Sequence, residues 1–311
     1  MQRRLDLYSL RELQTPCVGE SHRSYIDWLY NHGGGALAPK QASEYSSKSL
    51  SEILPLPMTG KQFDVNLVEI MEAALEEHNL STQWRNQFRG TCVGQGAATG
   101  CDMVMAVRWL VDFYRVPGRA AVATAYAGSR VEIAGKPGRW DGSNGEWVAA
   151  FLSHYGVAVL SELGLESDEL VEDERLALSW CASRHGVPEK FEKIAMERPI
   201  MSAPLVVTAE ELIACLNAGN PVLDASNLIP ANRNTDSVVP LTGRGGHLTV
   251  FGGIRWVNGE PEILYVNSWG RNWGRNGCVW ITMRDALRIL AQRDSYGLIG
   301  VQGLDPSLPL R

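Results

Sequence analysis

Apolar positions follow a helical period through the first half of the chain and a strand pattern through the second. Leu67, Ile70, Met71 and Ala74 fall on one face of the segment from Val65 to His78, which predicts a short amphipathic helix. From Thr91 to about Tyr114, Val93, Ala97, Cys101, Val104, Met105, Leu110 and Val111 keep a helical period, and Pro117-Gly118 ends it. Helices are also expected from Gly145 to Tyr155, closed by Gly156, from Leu176 to His185, and from Glu210 to Asn217 before Gly219-Asn220-Pro221. The charged residues between Glu162 and Arg175 predict an exposed region. The pattern then changes. Val222 to Ala225, His247 to Val257, Ile263 to Ser268 and Cys278 to Thr282 are rich in Val, Ile, Thr and aromatics, and turn residues separate them. Asn258-Gly259 is a hairpin signal. Helices first and antiparallel strands after give an α+β class, with a helical lobe and a sheet lobe.

Residues 1–60 break the pattern. They hold the turn-prone run Asn31-His32-Gly33-Gly34-Gly35 and a Ser-rich, Pro-bounded stretch from Gln41 to Pro57, and read as an extension. The remainder, 61–311, reads as one unit, mainly helical over about 80–200 and mainly β over about 201–290.

Composition narrows the function. The chain has 311 residues, 45% of them hydrophobic, and a formal net charge of -6, with none of the basic surplus of a nucleic-acid-binding protein. Arg3-Arg4 and Arg284–Arg288 are expected as solvated faces. No apolar run approaches the ~18 residues that span a bilayer, so no membrane contact is expected. Charges interrupt the N-terminus, Met1-Gln2-Arg3-Arg4-Leu5-Asp6-Leu7-Tyr8, so no signal peptide is read and a reducing, cytoplasmic location is expected. The six cysteines, Cys17, Cys92, Cys101, Cys181, Cys215 and Cys278, form no C-x-x-C pair and are expected as free thiols without a structural metal. The run Gly94 to Gly100 has the wrong glycine spacing for a dinucleotide loop, and no strand precedes it. Its small residues are expected to let a helix pack closely on the sheet.

Two places can carry chemistry. Cys92 stands at the start of its helix, where unpaired N–H groups and the helix dipole favour an anion, so its thiol is expected to have a lowered pKa. His247 begins one strand and Asn267 ends the next, with the Asn258-Gly259 turn near the midpoint between them. Folded there, the pair comes together across the ladder, as an amide that orients an imidazole requires, provided both point to one face. Cys92 alone could be a small core residue, and His247 alone a structural one.

Longer motifs decide between these readings. Asn267-Ser268-Trp269-Gly270-Arg271-Asn272-Trp273-Gly274-Arg275-Asn276-Gly277 resembles the N-S-W-G-x-x-W-G-x-x-G signature of the papain-like cysteine peptidases. Gly245-Gly246-His247-Leu248-Thr249-Val250-Phe251-Gly252-Gly253 is similar to the family's His strand, and Asn86-Gln87 with Gly90-Thr91-Cys92 to its N-Q-G…G-x-C segment. Ser143-Asn144-Gly145 before a helix, and Ala218-Gly219-Asn220-Pro221-Val222 before Asp224-Ala225-Ser226, are weaker matches. The resemblance covers roughly residues 80 to 283 and implies a two-lobe fold with the active-site cleft between the lobes.

The resemblance implies roles by position. Cys92 matches the nucleophile, His247 the general base, Asn267 the residue that orients it, and Gln87 the side-chain donor of the oxyanion hole. Trp269 resembles the indole that shields the His–Asn bond, and Asn144, Gly145 and Gly246 match the walls that receive a peptide substrate. No cofactor is implied. The sequence departs from the family in several places: the upstream Cys of the family's C-G-S-C-W context is missing, and the extension lacks a helical pro-region pattern. Val93 replaces the Trp after the nucleophile, Glu146 replaces the second Gly of N-G-G, and Gln87 to Cys92 spans five residues, one fewer than usual. These departures leave open a structural or binding role in a larger assembly, such as a virion, reached through residues 1–60. They also leave open acyl transfer to an amine, and a pro-region role for the extension.

Overall fold

A computed structural model describes residues 63–305 apart from Trp140. The extension expected over residues 1–60 lies outside the described residues, as does Cys17.

β1 (Val65–Asn66) leads into α1 (Leu67–Glu77). The helix starts two residues later than its apolar period because Asn66 is its cap, with Oδ1 accepting from Val68 N at 3.2 Å. α2 (Cys92–Asp112) is buried without a break from Cys92 to Val107. Gly94 and Gly96 let it pack closely. A Cβ on Gly94 would lie 2.6 Å from Tyr126 Cβ, and one on Gly96 2.4 Å from Leu248 Cδ2. Phe113, in the left-handed region at φ 58°, ends the helix. α3 (Val122–Gly128) runs into a π-turn over Ser129–Ile133. It had no sequence signal, since an Ala-rich helix buried on all sides has no polar face.

α4 (Gly145–His154) is capped by Asn144. α5 (Leu170–Ala182) starts well before Leu176, and two of its acids correct the expectation of exposure: Asp173 and Glu174 are 0% and 1% exposed. α6 (Glu189–Ala195) and α7 (Ala209–Asn217) follow, the latter with a Thr208–Glu211 capping box.

The sheet is open and antiparallel, in the order β6 (Cys278–Thr282), β5 (Glu260–Val266), β4 (Leu241–Val257), β3 (Val222–Pro230), β7 (Ser295–Gly297). β1 adds to β4, while β2 (Ile200–Ser202) pairs with β8 (Ile299–Val301) in a separate ribbon. α8 (Met283–Leu290) carries the Arg284–Arg288 cluster and buries Ala286, Ile289 and Leu290. Asn258 and Gly259 have φ of 53° and 83°, as a two-residue hairpin turn needs. The α+β class is the one the sequence predicts. Among the described residues the five cysteines are free and buried, and no helix is long and apolar enough to cross a membrane.

Candidate active site

The β4–β5 hairpin sets the first relationship. Next to the turn its register pairs Ile254 with Ile263 and Gly253 with Leu264. Continued unchanged, that register would place Asn267 opposite Val250, on the face away from His247. A bulge intervenes between Phe251 and Gly253, and beyond it Phe251 pairs with Tyr265 and Val250 with Val266. The shifted register sets Asn267 opposite Thr249, which shares a face with His247, because a one-residue slip moves every side chain to the other face. Gly252 is the extra residue. A Cβ there would lie 2.8 Å from Val266 Cγ2.

His247 Nε2 and Asn267 Oδ1 are 2.8 Å apart, and both residues are buried. The tautomer follows from a neighbour. Ser268 N–H donates to the same Oδ1 at 2.8 Å, which fixes that atom as the amide oxygen. An oxygen only accepts, so Nε2 carries the proton and Nδ1 keeps its lone pair. Trp269 stacks on the imidazole with ring centroids 4.6 Å apart, and Trp84 Nε1 donates to the Asn267 carbonyl at 2.8 Å.

Cys92 and His247 line one opening of about 550 Å³, together with Gly246, Asn144, Asp141 and Asp294. The Leu248 backbone hydrogen-bonds the Cys92 thiol and joins the nucleophile helix to the His strand. The expected lowering of the thiol pKa is not found. Burial pushes the Cys92 thiol up and outweighs the hydrogen bonds from Leu248, Val93 and its own backbone. Burial also pulls the His247 imidazole down, against the hydrogen bond it donates to Asn267. Both groups are therefore biased to their neutral forms.

The remaining sequence candidates divide. Asn144 and Gly246 line the opening. The Asn144 side chain is also spent on Trp147 N at 2.9 Å. Gly145 N–H donates to Asp294 Oδ2 at 3.0 Å, so a backbone group matched to substrate pairing is already engaged. Gln87 sits outside the lining of the opening, beside Ser268. Its Oε1 accepts from Ser268 Oγ at 2.6 Å, and its Nε2 donates to the Arg89 carbonyl at 2.9 Å.

Several residues at the cleft had no motif to mark them. Asp294 binds Gly145 and also accepts from Glu146 N at 2.8 Å. Tyr126 Oη donates to the Gly90 carbonyl at 3.0 Å and accepts from Gly142 N at 2.7 Å, so it ties the Cys92 loop to the Ser143-Asn144 loop. Glu174 holds the loop before Cys92. A signal for it did exist: Leu170, Asp173, Glu174, Ala177 and Cys181 fall on one stripe, so two acids stand on an apolar face.

The fold agrees with known structures. Xylellain, a cysteine protease from Xylella fastidiosa, superposes with a TM-score of 0.52 at 18% identity, over 79% of this chain and 86% of that one. A procathepsin B from Trypanosoma congolense gives 0.51 at 13% identity, over 81% and 78%. No sequence-family model matches the chain, and no curated protein matches it by sequence. The likeness defines a papain-like fold, shared with cysteine proteases.

Proposed function

We propose that the chain is a papain-like cysteine peptidase of the papain family. The observation that carries this reading is the Nε2-protonated imidazole of His247, fixed by Asn267, lining one opening with the thiol of Cys92. As substrate binds, the Cys92 proton passes to Nδ1 of His247, and the thiolate so formed attacks the peptide carbonyl carbon, whose C=O π pair moves onto the oxygen. The tetrahedral oxyanion is held by the Cys92 backbone N–H and by Gln87, whose amide must first leave the Arg89 carbonyl. His247 then protonates the leaving amine, and the C–N bond breaks to give an acyl-enzyme. Water, deprotonated by His247, releases the acid. No cofactor takes part.

Asn144, Gly145, Gly246 and Trp269 surround an extended peptide in this reading. Residues 61–311 form the peptidase unit, and residues 1–60 an arm that acts as pro-region or assembly contact. Protein or peptide is the partner, without nucleic acid or membrane, in a reducing, cytoplasmic setting. Hydrolysis of a peptide library by wild type, its loss in Cys92→Ala and in His247→Ala, and unchanged melting of both variants are the expected results. Turnover that survives Cys92→Ala would remove the reading.

Two observations favour a second reading. The Gln87 donor is engaged elsewhere and the thiol is pushed up, as suits a papain-like scaffold that serves a larger assembly, a virion being one example. A folded wild type that hydrolyses no peptide supports it.

A further inference from the structure

Four residues, Phe88 to Thr91, connect Gln87 to Cys92, one fewer than the family spacing. A short loop of this kind must hold its backbone in one shape, since both oxyanion donors hang from its two ends. Within the loop, Thr91 N–H donates to the Arg89 carbonyl at 2.8 Å. Thr91 is the cap residue of α2, yet its side chain makes no cap bond to the helix. Its hydroxyl goes instead to Glu174, on α5. The same carboxylate accepts from Phe88 N at 3.1 Å through Oε2 and from Arg89 N at 3.1 Å through Oε1. Glu174 is 1% exposed and Thr91 0%. All three donors are neutral and all belong to this loop, although Glu174 lies more than eighty residues away in sequence. The next residue back, Asp173, accepts from Val122 N at 2.7 Å and Ala123 N at 2.9 Å, so α5 pins the start of α3 in the same way.

We infer that Glu174 is a positioning residue for the nucleophile: it fixes the Phe88–Thr91 loop so that the Cys92 amide at one end and Gln87 at the other are held at set places. The Arg89 N–H binds Glu174 and the Arg89 carbonyl holds Gln87 Nε2 at rest, so the fixed loop sets the place from which that amide turns to the oxyanion. The inference rests on the peptidase reading above. It asks for nothing chemical of Glu174, only three accepted hydrogen bonds.

Glutamine is the informative replacement. It keeps the size of Glu174, but in either orientation its NH2 faces a backbone N–H, of Phe88 or of Arg89. In Glu174→Gln, kcat is expected to fall about 10- to 100-fold with KM within about twofold, because a slightly misplaced donor is felt mainly in the transition state. Alkylation of Cys92 by iodoacetamide is expected to stay within about threefold of wild type, since that reaction needs no oxyanion donor. Thr91→Val, which removes only the hydroxyl, should lose rate in the same sense, and Thr91→Ser should restore it. These two variants carry the test if Glu174→Gln does not fold.

Wild-type kcat in both folded Glu174→Gln and Thr91→Val overturns the inference. So does a loss of kcat matched by an equal loss of Cys92 alkylation, which marks a general collapse. Amide exchange at Phe88 and Arg89 separates this failure from that of the peptidase reading. If wild type shows no turnover but these amides exchange faster in Glu174→Gln, the peptidase reading alone falls. If the exchange is unchanged, the holding role itself falls.

Discussion

Asn267 reaches His247 because Gly252 is left over between them. The extra residue shifts the β4–β5 register from Gly253↔Leu264 to Phe251↔Tyr265, and only after that shift do the two side chains share a face. Their 2.8 Å hydrogen bond then sets the imidazole tautomer. Asn267→Ala frees the ring to turn and to exchange tautomers, so kcat for peptide hydrolysis is expected to fall about 100-fold. Deleting Gly252 returns Asn267 to the face opposite His247. In any fraction that folds, as judged by near-ultraviolet circular dichroism, activity should drop at least as far. Activity retained in either variant would contradict the orienting role.

The approach of α2 to its neighbours makes Gly94 sensitive. Replacing a helical Gly by Ala ordinarily stabilises by about 1 kcal/mol. Here the new Cβ would lie 2.6 Å from Tyr126 Cβ and 2.9 Å from Val122 Cγ1, and both neighbours are buried. Overpacking of this kind costs about 1–3 kcal/mol, so Gly94→Ala is expected to destabilise on balance. Urea unfolding measures the sign directly.

The resting state of the thiol can be read from pH. Burial raises the Cys92 pKa and lowers that of His247, so in the free protein the neutral pair is favoured over thiolate and imidazolium. The rate of Cys92 alkylation by iodoacetamide should therefore climb with pH, with its midpoint above the ~8.5 of an ordinary thiol. A plateau of full reactivity reached near pH 5 would show a preformed ion pair instead.

Glu132 gives a stability prediction with a definite sign. Its Oε1 accepts from Val187 N at 2.6 Å, its Oε2 is buried with no partner, and burial pushes its pKa up to about 7. The folded chain thus holds this proton where the unfolded chain, at an ordinary ~4.3, has lost it. The stability linked to Glu132 is complete below about pH 4 and is lost as pH rises through about 7. In Glu132→Gln that component disappears. The melting temperature of wild type should fall relative to the variant between pH 4.5 and 7.5, and parallel curves would refute the assignment.

How much of this was legible in sequence depends on the range of the interaction. Local patterns were readable: the periods of α1, α2, α4 and α7, the Asn258-Gly259 turn, and β6 from Cys278 to Thr282. The Asn267-to-Gly277 motif and the His247 strand pointed to a pair that the structure brings together. What failed to show was set by burial and by distant partners. α3 is buried all round and so lacks an amphipathic period. Asp173 and Glu174 read as surface charge despite their apolar stripe, because the donors that satisfy them lie about fifty and eighty residues earlier. The Cys92 pKa went the other way for a related reason. A helix N-terminus can be recognised from neighbours in sequence, but the burial that outweighs it comes from the whole fold.

The measurement closest to the central claim is covalent labelling of the native protein with an epoxide peptide probe, located by mass spectrometry. Burial pushes up the thiols of Cys101, Cys181, Cys215 and Cys278 as it does that of Cys92, but only Cys92 of these five shares an opening with His247. One label at Cys92, none at those four, and none anywhere in Cys92→Ala or His247→Ala is the result expected of a nucleophile with its base. An unlabelled Cys92, or labelling of Cys92 no faster than the core cysteines, would contradict it.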